Sequence, residues 1–292
     1  MRRYERLGFT LMELVVVIAI LSILISISVV AVNKTRQAAA RVSCQNNLKQ
    51  IGIALHGFHA IKNRFPAAYR AEGMKPGWGW GTSILPYLDQ PMLHAALGVD
   101  SSNPKVDVST AERRLAFART PLAIYRCPSD SGPALNPMRS NLATSNYRAV
   151  SGPKSFPRHD YVPDTDMGGV MYQNSEIRLN SITDGASNTF CVGECMYDKA
   201  SKKRAAIWVG MRGHISELQS IWLSDVMWCV DDASSTINGP APQSFSSNHT
   251  GGAFFLFCDG SVRFASEGAD PSIMKFLAGR EDGVNLDIAA FD

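Results

Sequence analysis

No familiar catalytic signature interrupts these 292 residues. A Gly-x-Ser-x-Gly elbow, a Gly-rich phosphate loop, His-Glu-x-x-His and a Cys-x2-Cys pair are all missing. Each is the local geometry that a nucleophile, a phosphate or a zinc ion requires. Their absence argues against an exported hydrolase, and the chain reads as a non-enzyme. Charge of one sign is also scarce. Lys and Arg total 29 against 26 Asp and Glu, and the small basic excess is scattered, so nucleic acid is not expected as a partner. Proline is missing from residues 33–62, which leaves a helix free to run through them. Charged residues make up 19% and hydrophobic ones 45%, with 23 Gly and 15 Pro. That describes a globular body rich in turns, not a disordered tail or a long coiled coil.

What is present is concentrated at the start. Residues 14–32 form an apolar run of about nineteen residues, close to the ~20 a helix needs to cross a bilayer. Ser22, Ser26 and Ser28 interrupt it, and a helical serine can return its hydroxyl to an upstream carbonyl. Glu13 directly precedes the run. A carboxylate at the edge of the hydrocarbon costs energy unless it is answered by a partner. Phe9 lies four residues earlier and shares its helical face. A cut between Gly8 and Phe9 would place a new cationic amine one turn from that carboxylate. Arg2, Arg3 and Arg6 on one side nearly balance Lys34, Arg36 and Arg41 on the other, so the positive-inside rule does not orient the segment.

Gly8-Phe9-Thr10-Leu11-Met12-Glu13 before an apolar helix resembles the processing site of type IV prepilins and pseudopilins. The resemblance implies cleavage after Gly8 by a prepilin peptidase and methylation of Phe9. It also implies pairing of Glu13 with the amine of an adjacent subunit during assembly. An ordinary single-pass anchor, or a secretory signal cut near Val29-x-Ala31, is the alternative.

Beyond the span, Cys44, Leu48, Ile51, Leu55 and Phe58 recur at three- and four-residue spacing, the stripe of an amphipathic helix. Gly52 and Gly57 weaken it, each by up to ~1 kcal/mol, and Phe65-Pro66 is expected to end it. One helix of about fifty residues is predicted. His56 and His59 lie on it at i, i+3, without a third metal ligand in view. Trp78-Gly79-Trp80 leads into a loop and short helix around Pro86, and residues 110–119 read as another short helix. Residues 131–180 are expected to be mostly loop. Within them Asp164-Thr165-Asp166-Met167-Gly168 echoes the start of a calcium loop, but Ser175 stands where the bidentate Glu belongs. An acidic turn is expected there, with calcium the alternative and no other cofactor or metal. Residues 188–197 and 205–209 read as strands, with Glu194 the one acid in the first. Residues 253–258 and 261–265 flank Asp259-Gly260, a strong hairpin signal, and the first arm is apolar on both faces, as an inner strand would be. Cys44, Cys127, Cys191, Cys195, Cys229 and Cys258 allow fifteen full pairings. Free buried thiols and disulfides both remain open.

Several blocks together resemble one family. They are residues 44–59, Arg64-Phe65-Pro66, Cys127-Pro128-Ser129-Asp130, residues 182–189, and Ser247-Asn248-His249 through Asp259-Gly260. In that order they resemble the DUF1559 proteins, which are pseudopilin-like and carry a C-terminal His-x9-Asp-Gly motif. The resemblance implies an α+β, pilin-like fold, with a long N-terminal helix on an antiparallel β-sheet body with long loops. It also implies inner-membrane, single-pass anchoring with the body in the periplasm or cell exterior. Partners would be prepilin peptidase, like subunits or other pseudopilins, and membrane lipid. The organisation follows as a leader (1–8), an assembly helix (9–32), its amphipathic continuation (33–62) and an exported body (63–292). His249 would have to double back to reach Asp259. The expectation is therefore a loop anchor at His249 and turn chemistry at Asp259-Gly260, not a joint site. A membrane-anchored binding module that never assembles, contacting a ligand through Trp78 and Trp80, is the second reading.

Overall fold

The computed structural model describes residues 10–70, 77–99, 116–155, 165–198, 200, 205–211, 224–231 and 236–283. Its first element is one unbroken helix, α1 (Leu11–Lys62), of 52 residues. Thr10 caps it. The Thr10 hydroxyl accepts from the Glu13 N–H, and the Glu13 carboxylate accepts from the Thr10 N–H in return, which satisfies two of the orphan donors at a helix start. The three serines of the apolar run behave as expected, donating to the carbonyls of Ala19, Ile23 and Leu24. The helix stops sooner than Phe65-Pro66 would require. Asn63 adopts the left-handed conformation (φ 52°) and its N–H donates to the His59 carbonyl. Asparagine tolerates that conformation at a helix end, so it is the stop signal.

Along its length α1 has two regimes. The apolar half is exposed on every face, and it is long and apolar enough to cross a membrane. From Cys44 onward a stripe is buried: Cys44, Leu48, Ile51, Gly52, Ala54, Leu55 and Phe58. This stripe sits on a five-stranded sheet. In it β5 (Tyr147–Val150), β6 (Phe190–Glu194), β9 (Met227–Trp228), β10 (Gly252–Phe257) and β11 (Val262–Ser266) are ordered β11-β10-β6-β5-β9. All its pairings are antiparallel except β5 with β9, which is parallel. As its two-faced apolar pattern requires, β10 is an inner strand and wholly buried. Gly52 is the close-approach point. A Cβ there would stand 2.9 Å from Leu256 Cδ1 and 3.5 Å from Gly260 Cα. The glycine that weakens the helix is what lets it lie down on β10.

Two small sheets flank this core. One holds β1 (Tyr69–Arg70), β2 (Gly77–Gly79) and β8 (Gly210–Met211). The other holds β3 (Leu135–Asn136), β4 (Leu142–Ser145) and β7 (Ala206–Ile207). Of the short helices α2 (Trp80–Ser83), α3 (Pro91–Leu97) and α4 (Pro271–Ala278), α2 packs on β2 and β8 and α4 on β6. The fold is thus the α+β plan, a long N-terminal helix on mostly antiparallel sheets.

Two expectations need correction, and a third needs refinement. Among the described residues, 131–180 are mostly irregular, but β3, β4 and β5 also lie there, and β4 and β5 are buried throughout. Composition pointed to loop, but tertiary partners override a weak propensity. The buried Arg148 of β5 is one example, its guanidinium donating to the Gln243 carbonyl. Residues 205–209 contribute only the two-residue strand β7. Trp78 and Trp80 are each 2% exposed. The Trp80 indole donates to the Val226 carbonyl and its ring meets Tyr125 edge-on. They are core residues and present no ligand-binding loop. The helix expected over residues 110–119 lies largely outside the described residues.

Candidate functional site

Two places carry chemistry. The first is the head of α1. Gly8 and Phe9 lie outside the described residues. Both hydrogen bonds that the Thr10 backbone and hydroxyl give to Glu13 fall on one oxygen, Oε2, at 2.9 and 2.7 Å. Among the described residues Oε1 takes none, which leaves half of the carboxylate available to an outside donor.

The second lies where α1 leaves the body. Cys44 of α1 is bonded to Cys127, across 83 residues of sequence. Asn47, one turn further on, donates to the Arg126 carbonyl and fastens the same junction. Closing so long a loop restricts the unfolded chain, an effect worth on the order of 4 kcal/mol. Cys191, Cys195 and Cys258 are buried free thiols, and Cys229 is buried as well. The Cys191 thiol meets the Met171 sulfur and the Cys258 thiol reaches the Phe190 carbonyl.

Against the disulfide stands His249, 7% exposed. Its Nε2 is 3.5 Å from Cys127 Sγ and 3.5 Å from Glu194 Oε1, and its Nδ1 is 3.3 Å from Ser129 Oγ. The loop that carries it is pinned by Ser247, whose hydroxyl accepts from the His249 N–H and donates to the Gly252 carbonyl. Glu194, at the end of β6, is 1% exposed. Its Oε2 accepts from the Phe254 N–H at 2.7 Å, while Oε1 has no hydrogen-bond partner among the described residues and faces the imidazole at ion-pair distance. Burial pushes the Glu194 carboxyl up, and the neighbouring His249 pulls it back. On the solvent side a cleft of about 610 Å³ is lined by Lys34, Arg36, Arg41, Pro128, Ser129 and His249, among others. The Arg41 guanidinium lies 3.7 Å from the Phe264 ring centroid.

His249 is thus buried, with both ring nitrogens and its N–H facing partners in this cluster. Asp259 belongs elsewhere. Its Oδ1 accepts from the Ser261 N–H, and Gly260 has φ +83° at the tip of the β10–β11 hairpin, a conformation that favours glycine. The structure thus assigns the two ends of the His-x9-Asp-Gly motif to different tasks. Lys49 of α1 donates to the Gly260 carbonyl, so the helix grips that turn. His59 accepts from the Leu179 N–H and His56 packs edge-on against Phe65. Asp166 is held by both nitrogens of the Arg280 fork, at 2.8 and 2.5 Å, and the Ser175 hydroxyl accepts from Tyr172. That is an acidic turn clamped by an arginine, with Asp164 outside the described residues. The junction of Glu194 and His249 with the disulfide was not legible in advance. Glu194 stood out as the one acid in a strand, but its partner lies 55 residues on, with nothing in the spacing to mark it.

Comparison with known proteins gives two matches. A family described as "Protein of unknown function (DUF1559)" matches residues 33–272. The prokaryotic N-terminal methylation motif matches residues 5–29. No curated protein and no solved structure shows significant similarity to the chain. The family match covers most of the sequence and the motif match covers the apolar head of α1. The chain is a member of the DUF1559 family with a prepilin-type N-terminus, and among the described residues one helix, α1, is long and apolar enough to anchor it in a membrane.

Proposed function

We propose that this protein is a structural subunit of a type IV pilus-like or type II secretion-like assembly, acting through contact and not catalysis. A prepilin peptidase cuts after Gly8 and Phe9 becomes the methylated N-terminus. Residues 9–32 then dock against the helices of like subunits or other pseudopilins, with the body on the periplasmic or outer side. One observation carries this reading: α1 is continuous, yet its apolar half is exposed among the described residues while its second half is built into the core. Such a half-buried helix needs lipid or neighbouring helices around it. The open Oε1 of Glu13 supports a charged contact from the next subunit's amine, which in hydrocarbon is worth more than at a wet surface.

The test combines two measurements on the native membrane fraction. Mass spectrometry of the mature chain should find a methylated Phe9 at its start. Cysteine crosslinking between apolar helices should give oligomers with the wild type, and only monomer with Glu13→Val, although the variant still inserts. An unprocessed Met1, or crosslinking unchanged by Glu13→Val, would remove the assembly reading.

A further inference from the structure

The cluster beneath the basic cleft holds more than a structural anchor. Among the described residues it is the single grouping of metal-type ligands. One donor atom each from Cys44, Cys127, Glu194 and His249 lies within 4.8 Å of the others, and all four residues are buried. We propose that reduction of the Cys44–Cys127 disulfide converts this cluster into a tetrahedral site for a divalent metal of the zinc type. The ligands would be the two sulfurs, Glu194 Oε1 and His249 Nε2.

Four features carry it. The first is the donor set, because two thiolates, an imidazole and a carboxylate are the ligands that zinc and its analogues prefer. The second is size. Metal bonds of ~2.0–2.3 Å imply ligand-to-ligand edges of roughly 3.3–3.8 Å. The His249 edges to Cys127 and to Glu194 are both 3.5 Å. Once the covalent bond is gone, the two sulfurs part to nonbonded separation and supply a third edge, and the other three already lie within 4.8 Å. The third is support behind the ligands. Glu194 Oε2 is held by the Phe254 N–H and His249 Nδ1 faces Ser129 Oγ, which orients both donors and leaves Oε1 unclaimed. The fourth is room and access. A void of about 10 Å³, near the volume one water needs, is lined by Cys127 and Glu194, and His249 and Ser129 line the open cleft. Arg41 acts on the Glu194 charge and would offset the net negative charge of a divalent ion with two thiolates and a carboxylate.

The chemistry balances with a phosphine as reductant. Phosphorus attacks one sulfur and the S–S bond breaks. Water then supplies the oxygen of the phosphine oxide and the two protons that make both sulfurs thiols. Metal capture releases those protons as the thiols ionise. In an oxidising compartment the disulfide is the resting form, and the metal form belongs to the chain before its oxidation.

The experiment is a cobalt(II) titration of the full chain in detergent micelles, oxidised and then phosphine-reduced. The reduced protein should take up equimolar cobalt, with a thiolate-to-cobalt charge-transfer band and intense tetrahedral d–d bands, and the oxidised protein should show neither. His249→Ala and Glu194→Gln are purified with the disulfide intact, so their folding is checked by circular dichroism before reduction. Each should weaken the apparent cobalt affinity beyond the ~10–100-fold typical of outer-shell changes, while Ser129→Ala should fall within that range. Cys191→Ser should leave the spectrum unchanged. Absence of the charge-transfer band from the reduced wild type would overturn the proposal. So would a band that persists undiminished in His249→Ala and Glu194→Gln, since the thiols would then be binding metal elsewhere.

Discussion

The Asp166–Arg280 pair shows how a single contact changes what a residue is for. By sequence Asp166 reads as a possible calcium ligand, yet its carboxylate is committed to a guanidinium. The bidentate hydrogen bonds to Arg280 hold its pKa at about 2 against an ordinary 3.8. A folded-state pKa below the unfolded one means that the pair stabilises the fold above the unfolded value and loses that contribution as pH falls towards 2. Wild type and Asp166→Asn should therefore differ in denaturant midpoint at neutral pH, and the gap should shrink steadily between about pH 4 and pH 2. The Asp166 side chain is 46% exposed, so screening keeps the gap smaller than a buried pair would give. A gap that is constant through the acid range would show that the carboxylate charge is not what Arg280 uses. Arg280 also donates to the Gly169 carbonyl, and that bond survives the substitution.

At the scale of elements, the helix and the hairpin explain each other. The apolar stripe of residues 44–58 and the Asp259-Gly260 turn were both readable, because periodicity and turn chemistry are local signals. That Gly52 exists to admit Leu256 was not readable, because the reason lies about 200 residues away. Gly52→Val should test the fit. It gains helix propensity but puts branched carbon atoms where Leu256 and the hairpin backbone already stand. A net loss of about 1–3 kcal/mol in chemical denaturation is expected, and a stabilised variant would mean that the helix does not rest on β10 as described. The same contrast runs through the misread parts. Residues 142–150 look polar in isolation and became strands only because β6, β7 and β9 stand beside them. Trp78 and Trp80 look like a loop display because Gly neighbours them, and those glycines instead let backbones pack closely around two buried rings. Gly79, for instance, stands against the backbone of Gly210.

For the whole molecule, the Cys44–Cys127 bond joins membrane segment to body. The N-terminal signal and the family blocks made the anchored plan legible, whereas the choice of one disulfide from fifteen depended on a fold not yet known. Replacing both cysteines by serine should cost about 2–5 kcal/mol of body stability, seen as a lower melting temperature in detergent. Membrane insertion should be unchanged, because the apolar segment ends well before Cys44. Equal melting of wild type and double variant would show that the loop is held shut by packing alone.

The uninterrupted course of α1 has a mechanical consequence. Between the end of the apolar run at Val32 and the clamp at Cys44 lie about 18 Å of helix, at 1.5 Å per residue, with no proline or glycine to act as a hinge. The shaft is therefore stiff from lipid to body. If neighbouring shafts slide past each other by one residue, the bodies must rise by about 1.5 Å and, to keep the same helix faces in contact, turn by about 100°. The packing of apolar helices inside the bilayer would thus fix the height and facing of every body outside it, transmitted as torque and thrust along a single rod.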